Sequence, residues 1–411
     1  MRGLRNNVLK IKKTNWEKHV FSDIAVNISE RVDPMNTDLE IYVGLEHIDG
    51  EMIHLKRLGK KSDVKGTKLR CYPGDVIFGR RRAYLRKAAL VDFNGFCSAH
   101  SLVLRANPDV IHPRLFPFFL HSNVFMDRAV KISVGSLSPT INWGTLKEQQ
   151  FHLPPKEKQS QLAEFLWSST QVIDKTYELR KKNDIFTNVA LKSLLLGQES
   201  NEKGELKHIS RIGDIPKDWT VVTMSSVFDR IVQKNKNLES DNVLTISAQQ
   251  GLVNQEEYFT RKIASKNLKG YYLISEGEFV YNKSYSEGFP AGVIKSLDKY
   301  KKGVVSPLYI CFKPKESSEL NVYYKHLFNF GFLNQQILSI AKEGARNHGL
   351  LNVSANDFFN LKIPLPCEGF ISSVLEKIDS IFLNGKIIDE YYKANKELNK
   401  SLINQIFDYD V

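Results

Sequence analysis

The sequence lacks grouped residues of the kind that carry covalent chemistry. It has only four cysteines, at 71, 97, 311 and 367, and no two of them form a CxxC pair. They are expected to be buried or half-buried thiols in a reducing compartment. Its ten histidines form no HxxxH or mixed Cys/His grouping, so no metal centre is expected. No apolar run is long enough to cross a bilayer. The opening MRGLRNNVLKIKK is basic but has neither an apolar core nor a small-residue cleavage site. It is not expected to be a secretory signal, and the cytoplasm is the expected location. GxGxxG, GxxxxGK[ST] and an Asn/Asp-Pro-Pro-aromatic methyltransferase motif are all missing. Pro108-Asp109 could begin a PD…(D/E)xK nuclease site, but Asp127, Glu148 and Glu157 lack a lysine two places on. The chain is therefore expected to carry no catalytic residues and no metal.

What is present is an ordinary globular composition, 42% hydrophobic and 25% charged over 411 residues, which is long enough for two cores. The net charge of +12, from 58 Lys and Arg against 46 Asp and Glu, suits a polyanionic partner.

The chain repeats itself. NWEKHVFSDIA (15–25) parallels DWTVVTMSSVF (218–228), with Trp16 on Trp219. YPGDVIF (72–78) parallels ISEGEFVY (274–281), with Gly74 on Gly277. GFCSAHSLVL (95–104) parallels GVVSPLYICF (303–312), with Ser98 on Ser306. Finally, GSLSPTINWGTLKEQQFHLP ends like GARNHGLLNVSANDFFNLKIP, with Asn142 on Asn352 and Pro154 on Pro364. The offsets of 203, 203, 208 and 210 drift as loop insertions would make them. Within each copy, GDVIFGR and GEFVYNK look like a turn feeding a short strand, and SLVLRANP and LYICFKP look like strands closed by proline. Two segments, RLFPFFLHSNVFMDRAVKIS and VYYKHLFNFGFLNQQILSIA, have helical spacing.

A long apolar-striped segment follows each copy. Residues 157–196 contain no Gly or Pro and place Leu162, Leu166, Ile173, Leu179 and Phe186 at helical steps before a Gly197 cap. Residues 371–407 repeat the pattern with Leu375, Ile378, Phe382, Leu398 and Leu402. Each suits a helix of about 60 Å; the two are expected to pair as an antiparallel coiled coil, with these residues forming the helix-pair or partner-chain interface. The expected fold is α/β (α+β): mixed domains at 1–154 and 198–366, each followed by a long helix, at 155–197 and 367–411.

Binding chemistry gathers in loops. RRRAYLRK at 80–87 offers Arg80, Arg81, Arg82, Tyr84, Arg86 and Lys87 directly after a strand. Loops at strand ends collect binding residues, and arginine grips guanine edges and phosphates with a bidentate fork. The equivalent loop of the second copy has Lys283, Ser284 and Tyr285 instead. The pre-strand loops add Ser136, Ser138 and Asn142 in one copy and Arg346, Asn347, His348 and Asn352 in the other, residues suited to phosphates or base edges. Unequal loops in equal frames would read an asymmetric, bipartite DNA site.

The whole pattern resembles the specificity subunit of a type I restriction–modification system. Its carriers are Trp16, Glu17, Asp23 and Ile24, then Ile215, Pro216 and Trp219, and the string PPKEKQSQLAEFL. In that string Pro154, Pro155, Gln159, Ala163 and Leu166 match the PPxxEQxxIAxxL pattern of the family. Lys158 stands where the pattern has glutamate, and the second copy lacks the EQ pair. The resemblance implies two target-recognition domains in tandem, binding double-stranded DNA. It also implies two modification (methyltransferase) subunits and restriction/translocase subunits as partners. S-adenosylmethionine, ATP and Mg²⁺ would then sit on those partners and none on this chain. A DNA-binding regulator or a scaffold without enzymatic partners is the alternative.

Overall fold

The computed structural model describes residue 13 and residues 15–199, 205–258, 267–284, 288–316, 319–341, 349–367 and 369–408. It is a mixed α/β structure of two compact units, Met1–Arg180 with Ile387–Val411, and Lys181–Lys386. This division cuts through both long helices, because packing groups each part of a helix with the domain it covers. Among the described residues no helix is long and apolar enough to cross a membrane.

The strands of the first unit include β1 (Glu17–Val20), β2 (Ala25–Ile28), β3 (Lys68–Cys71), β4 (Val76–Gly79), β5 (Ala88–Leu90), β6 (Gly95–Cys97), β7 (Ser101–Ala106) and β8 (Gln150–Leu153), followed by helix α1 (Lys156–Leu195). All four residues of β4 are buried, so the strand must lie between partners. It does so in an antiparallel sheet of order β2-β7-β4-β5. The turn before β4 places Gly74 at φ 93°, a conformation open to glycine without strain. Asp75 in that turn is fully buried; its carboxylate accepts from the Tyr72 N–H at 2.9 Å and from Arg105 at 2.7 and 3.1 Å. The second unit repeats the arrangement with β9 (Thr220–Thr223), β10 (Phe228–Arg230), β11 (Tyr272–Ser275), β12 (Phe279–Asn282), β13 (Val293–Ser296), β14 (Lys302–Val305), β15 (Ile310–Pro314) and β16 (Lys362–Leu365), then helix α2 (Phe370–Phe407). Its sheet order is β10-β15-β12-β13, and Glu278 accepts from the Ser275 N–H at 2.7 Å where Asp75 accepts from Tyr72.

The duplication is visible in the ladders. Phe78 faces Leu102 as Tyr281 faces Ile310, at the offsets read from the sequence. Both copies close by pairing first strand with last. Here Glu17 faces Leu153 while Thr220 faces Leu365, so the last strand is offset by 212. The alignment of Pro154 with Pro364 is thereby corrected to Pro154 with Pro366. The string IPLP hid the shift, because a two-residue slip keeps proline on proline and leaves every strand side chain on the same face.

Each unit has an aromatic core. Phe21, Phe119, Phe125 and Phe151 pack at ring separations of 5.2–6.4 Å in the first, where Phe407 of α2 adds to Phe119 at 5.5 Å. Phe228, Phe279, Phe312 and Phe328 form the second core. Each such ring contributes about 1.5–3 kcal/mol on burial. The long helices run antiparallel within each unit. In the first, Tyr177 meets Tyr392 at 6.1 Å and Arg180 meets Asp389 at 2.5 Å. In the second, Leu191, Leu194 and Leu195 share a core with Val374 and Ile378. Helix α1 ends in a Schellman motif, with Gly197 N–H bonded to Leu194 C=O and Gln198 N–H to Ser193 C=O. A Cβ at Gly197 would stand 2.6 Å from the Trp219 ring.

The helix stripes do more, and less, than pair. Leu162, Leu166 and Leu402 pack into the first domain core, Leu375 and Ile378 into the second, and Ile173 is buried. Leu179, Phe186, Phe382 and Leu398 are instead about half exposed or more, covered fully neither by a domain nor by the facing helix. Apolar spacing marks a face; it does not say whether a domain, a helix or a further chain covers it.

Gln159 explains the PPxxEQ-like string physically. Its amide donates to Pro154 C=O at 2.9 Å and Val110 C=O at 3.0 Å and accepts from His112 N–H at 2.6 Å, buried at the start of α1. Gln159→Ala strands all three groups and should lower unfolding free energy by about 2–4 kcal/mol. Gln159→Glu should be at least as damaging, since a carboxylate cannot donate to the two carbonyls. Urea denaturation of both variants checks this.

Candidate nucleic-acid interface

Three loops converge at one end of the first sheet. Residues 80–82 leave β4, residues 98–100 lead into β7, and residues 134–141 approach from the helical side. Backbone hydrogen bonds join the first and the last of these: Ile141 N–H to Arg80 C=O at 2.9 Å, Arg82 N–H to Pro139 C=O at 2.8 Å, and a bridge between Arg81 and Thr140. Ser101 faces Gly79 in the ladder, so His100 and Arg80 are the next pair outward. The second copy builds the same frame. Leu351 N–H bonds to Lys283 C=O at 2.9 Å, Ser284 bridges Leu350, and Tyr281 faces Ile310; the same register carried two places outward matches Leu308 to Lys283. In the first copy the arginine loop and the pre-strand loop, picked separately from the sequence, thus form one surface; in the second, the described residues 283–284 and 350–351 are joined in the same way.

Within RRRAYLRK the cations divide by direction. Arg81 and Arg82 are exposed, as is Tyr84, and neither arginine has an acidic partner among the described residues. Arg80 is half-buried, and its buried Nε has no hydrogen-bond partner among the described residues. Arg86 and Lys87, grouped with the DNA-facing cations from the sequence, turn inward. The Arg86 guanidinium donates to His121 C=O at 3.1 Å and Asn123 Oδ1 at 2.9 Å and pairs with Glu51 at 3.3 Å, while Lys87 donates to Leu45 C=O. Backbone geometry causes the split: Arg82 and Arg86 are both left-handed, at φ 53° and 52°, and bracket a 3-10 turn that reverses the chain.

Ser136 and Asn142 are exposed and Ser138 half-buried beside the same arginines. Lys283 and Ser284 are half-buried and Asn352 exposed. Tyr285, Arg346, Asn347 and His348 lie outside the described residues.

Two basic groups were missed in the sequence. Partial burial, then the positive field of Arg81, Arg80 and Lys68, holds the His100 imidazole below its usual value, which places all four in one patch. The signal for Lys68 was the segment KRLGKKSDVKGTKLR at 56–70, dense in cations and interrupted by a single acid. Among the described residues no group of three or more His, Cys, Asp or Glu could hold a metal ion. The surface can grip an anion and present donors and apolar groups.

Residues 53–185 match the family model for the type I restriction modification DNA specificity domain. The chain is 25% identical over 201 residues to the type I restriction enzyme EcoDI specificity subunit of Escherichia coli, covering 47% of this chain and 44% of that one. It is 29% identical over 234 residues to a Methanocaldococcus jannaschii protein provisionally described as the type I restriction enzyme MjaX specificity subunit, covering 52% of each. The chain spans about half the length of these relatives. In fold it is similar to a chain of a solved structure described as showing complex assembly and conformational transition of the type I R-M system. The TM-score is 0.58 at 16% identity, over 97% of this chain and 99% of that one. The resemblance drawn from the sequence is borne out.

The inward and outward arginines should separate on mutation. Arg86→Ala should cost about 2–4 kcal/mol by leaving Glu51 and two half-buried acceptors short of a donor, whereas Arg81→Ala should leave the thermal midpoint within error of wild type. Calorimetry of the two variants reads the difference. His121 supplies a pH test. Burial, with Arg86 adding to it, pushes its imidazole down to about 4. It stays neutral in the fold while the unfolded chain takes up a proton below about 6.5. Stability should therefore be full above that pH and fall by about 2 kcal/mol between pH 7 and 5 from this group. His121→Asn should flatten that part of the urea-midpoint profile.

Proposed function

We propose that this chain is the DNA sequence-specificity subunit of a type I restriction–modification complex and binds an asymmetric, bipartite site. The observation that carries the reading is the loop frame built twice with unequal side chains. Arg80, Arg81 and His100 stand in one copy where Lys283, Ser284 and Leu308 stand in the other. Equal frames with equal side chains would read a palindrome; these read two different half-sites. Exposed Arg81 and Arg82 suit phosphates and guanine edges, the first for affinity and the second for discrimination.

The chain does no covalent chemistry in this reading. Two modification subunits transfer the methyl group, and restriction/translocase subunits move and cut the duplex, in the cytoplasm. S-adenosylmethionine, ATP and Mg²⁺ are held by those partners. The half-exposed Leu179, Phe186, Phe382 and Leu398 on the long helices are apolar surface of the kind a partner chain covers.

Exchanging residues 1–153 for the matching domain of a relative, in a host that supplies the partner subunits, tests the reading. Methylated adenines should then map to a site with one half changed, the other half and the spacer kept. Change in both halves, or no methylation assigned to this chain, would overturn it. A chain that binds DNA but captures no methyltransferase subunit would instead be a regulator.

A further inference from the structure

We propose that positions 100 and 308 are the paired base-reading positions of the two copies: His100 hydrogen-bonds a base edge in one half-site, and Leu308 packs on a thymine methyl group in the other. This rests on the reading of the chain as a DNA-specificity subunit and names the residues that set the bases.

The argument begins with the backbone. The loop 98–100 is fixed by His100 N–H donating to Ser98 Oγ at 3.2 Å and by Ser101 N–H donating to Ser98 C=O at 3.0 Å. The loop 306–308 has the same two bonds, from Leu308 N–H to Ser306 Oγ at 3.3 Å and from Tyr309 N–H to Ser306 C=O at 3.2 Å. Each loop flanks the central ladder, and extending the register, by one pair beyond Ser101–Gly79 and by two beyond Ile310–Tyr281, brings its third residue level with the first cation of the neighbouring loop, Arg80 or Lys283. The two sites share position, turn and cationic neighbour. They differ in the side chain carried there, a polar imidazole against an apolar isobutyl group.

That difference has a chemical meaning on DNA. Both residues are exposed, Leu308 to 58%. Neither packs into a core, so folding does not dictate either choice. The apolar group that a base pair presents in the major groove is the C5-methyl of thymine, and leucine can contact it. An imidazole offers one donor and one acceptor and suits the hydrogen-bonding edges of the other bases. In the first half Arg80 suits a phosphate that fixes register, while Lys283 is half-buried and donates to Val353 C=O at 3.5 Å; the residue beside each sets the base.

The test uses the complete assembly, with partner subunits, selecting from a pool of randomised duplexes. Wild type, Leu308→Asn and His100→Leu are compared after thermal melts establish that each folds. Leu308→Asn should lose preference for one thymine in one half by roughly tenfold, and His100→Leu should change one position in the other half. Replacing that thymine by deoxyuridine, which removes only the methyl, should weaken wild-type binding severalfold and leave Leu308→Asn unaffected. The proposal is overturned if both variants select the wild-type sequence, if either changes both halves, or if deoxyuridine is tolerated at every thymine by the wild type. Failure of the wild-type assembly to select any sequence would instead sink the underlying reading.

Discussion

One antiparallel ladder, built twice, carries the rest of the structure. Strands β4 and β12 are almost wholly buried and can only be central, and the acid in the turn before each fixes where the strand begins. Once Phe78 faces Leu102, and Tyr281 faces Ile310, the residues leaving the far end are determined as well. A slip of one residue would turn the buried side chains of β4 to the opposite face and move the arginines off the loop that receives them. The convergence of three loops at one sheet end is thus a consequence of register, set by packing on the opposite side of the strand.

The arginine loop shows how a fold spends the same side chain in two ways. Left-handed backbone at Arg82 and Arg86 costs roughly 1–2 kcal/mol for each L-residue. Hydrogen bonds offset the cost at both points: Arg82 N–H reaches Pro139 C=O, and Arg86 N–H reaches Ala83 C=O. Between them the chain reverses, so one end of the segment projects Arg81 and Arg82 while the other buries Arg86 among Glu51, Asp127 and Asn123. The inward pair anchors the outward pair. Rigid presentation of this kind keeps a recognition surface from losing side-chain entropy at the moment of binding.

Closure of each domain is the other recurring device. Pairing the first strand with the last brings the chain back to its starting edge immediately before a long helix begins. In the first copy Gln159 then ties the helix start to the loop at Val110 and His112. In the second, Gln336 does a comparable task from another helix, bonding both N–H and C=O of Lys362.

The sequence by itself determined what local periodicity can encode. The repeat, the buried strands, the two long helices and the Gly197 cap were legible because strand alternation, helical spacing and turn chemistry act over a few residues. Tertiary structure alone decided the two-residue shift of β16, since alternation has a period of two and cannot register a slip of two. It alone sorted Arg81 from Arg86, identical in chemistry and five places apart, because the sorting depends on Glu51, Asp127 and Asn123, all remote in sequence from the loop. It also left Leu179 and Phe186 exposed while burying Leu166 and Ile173 on the same helix. Apolar spacing records which side chains avoid water; only the folded chain settles what, if anything, covers them.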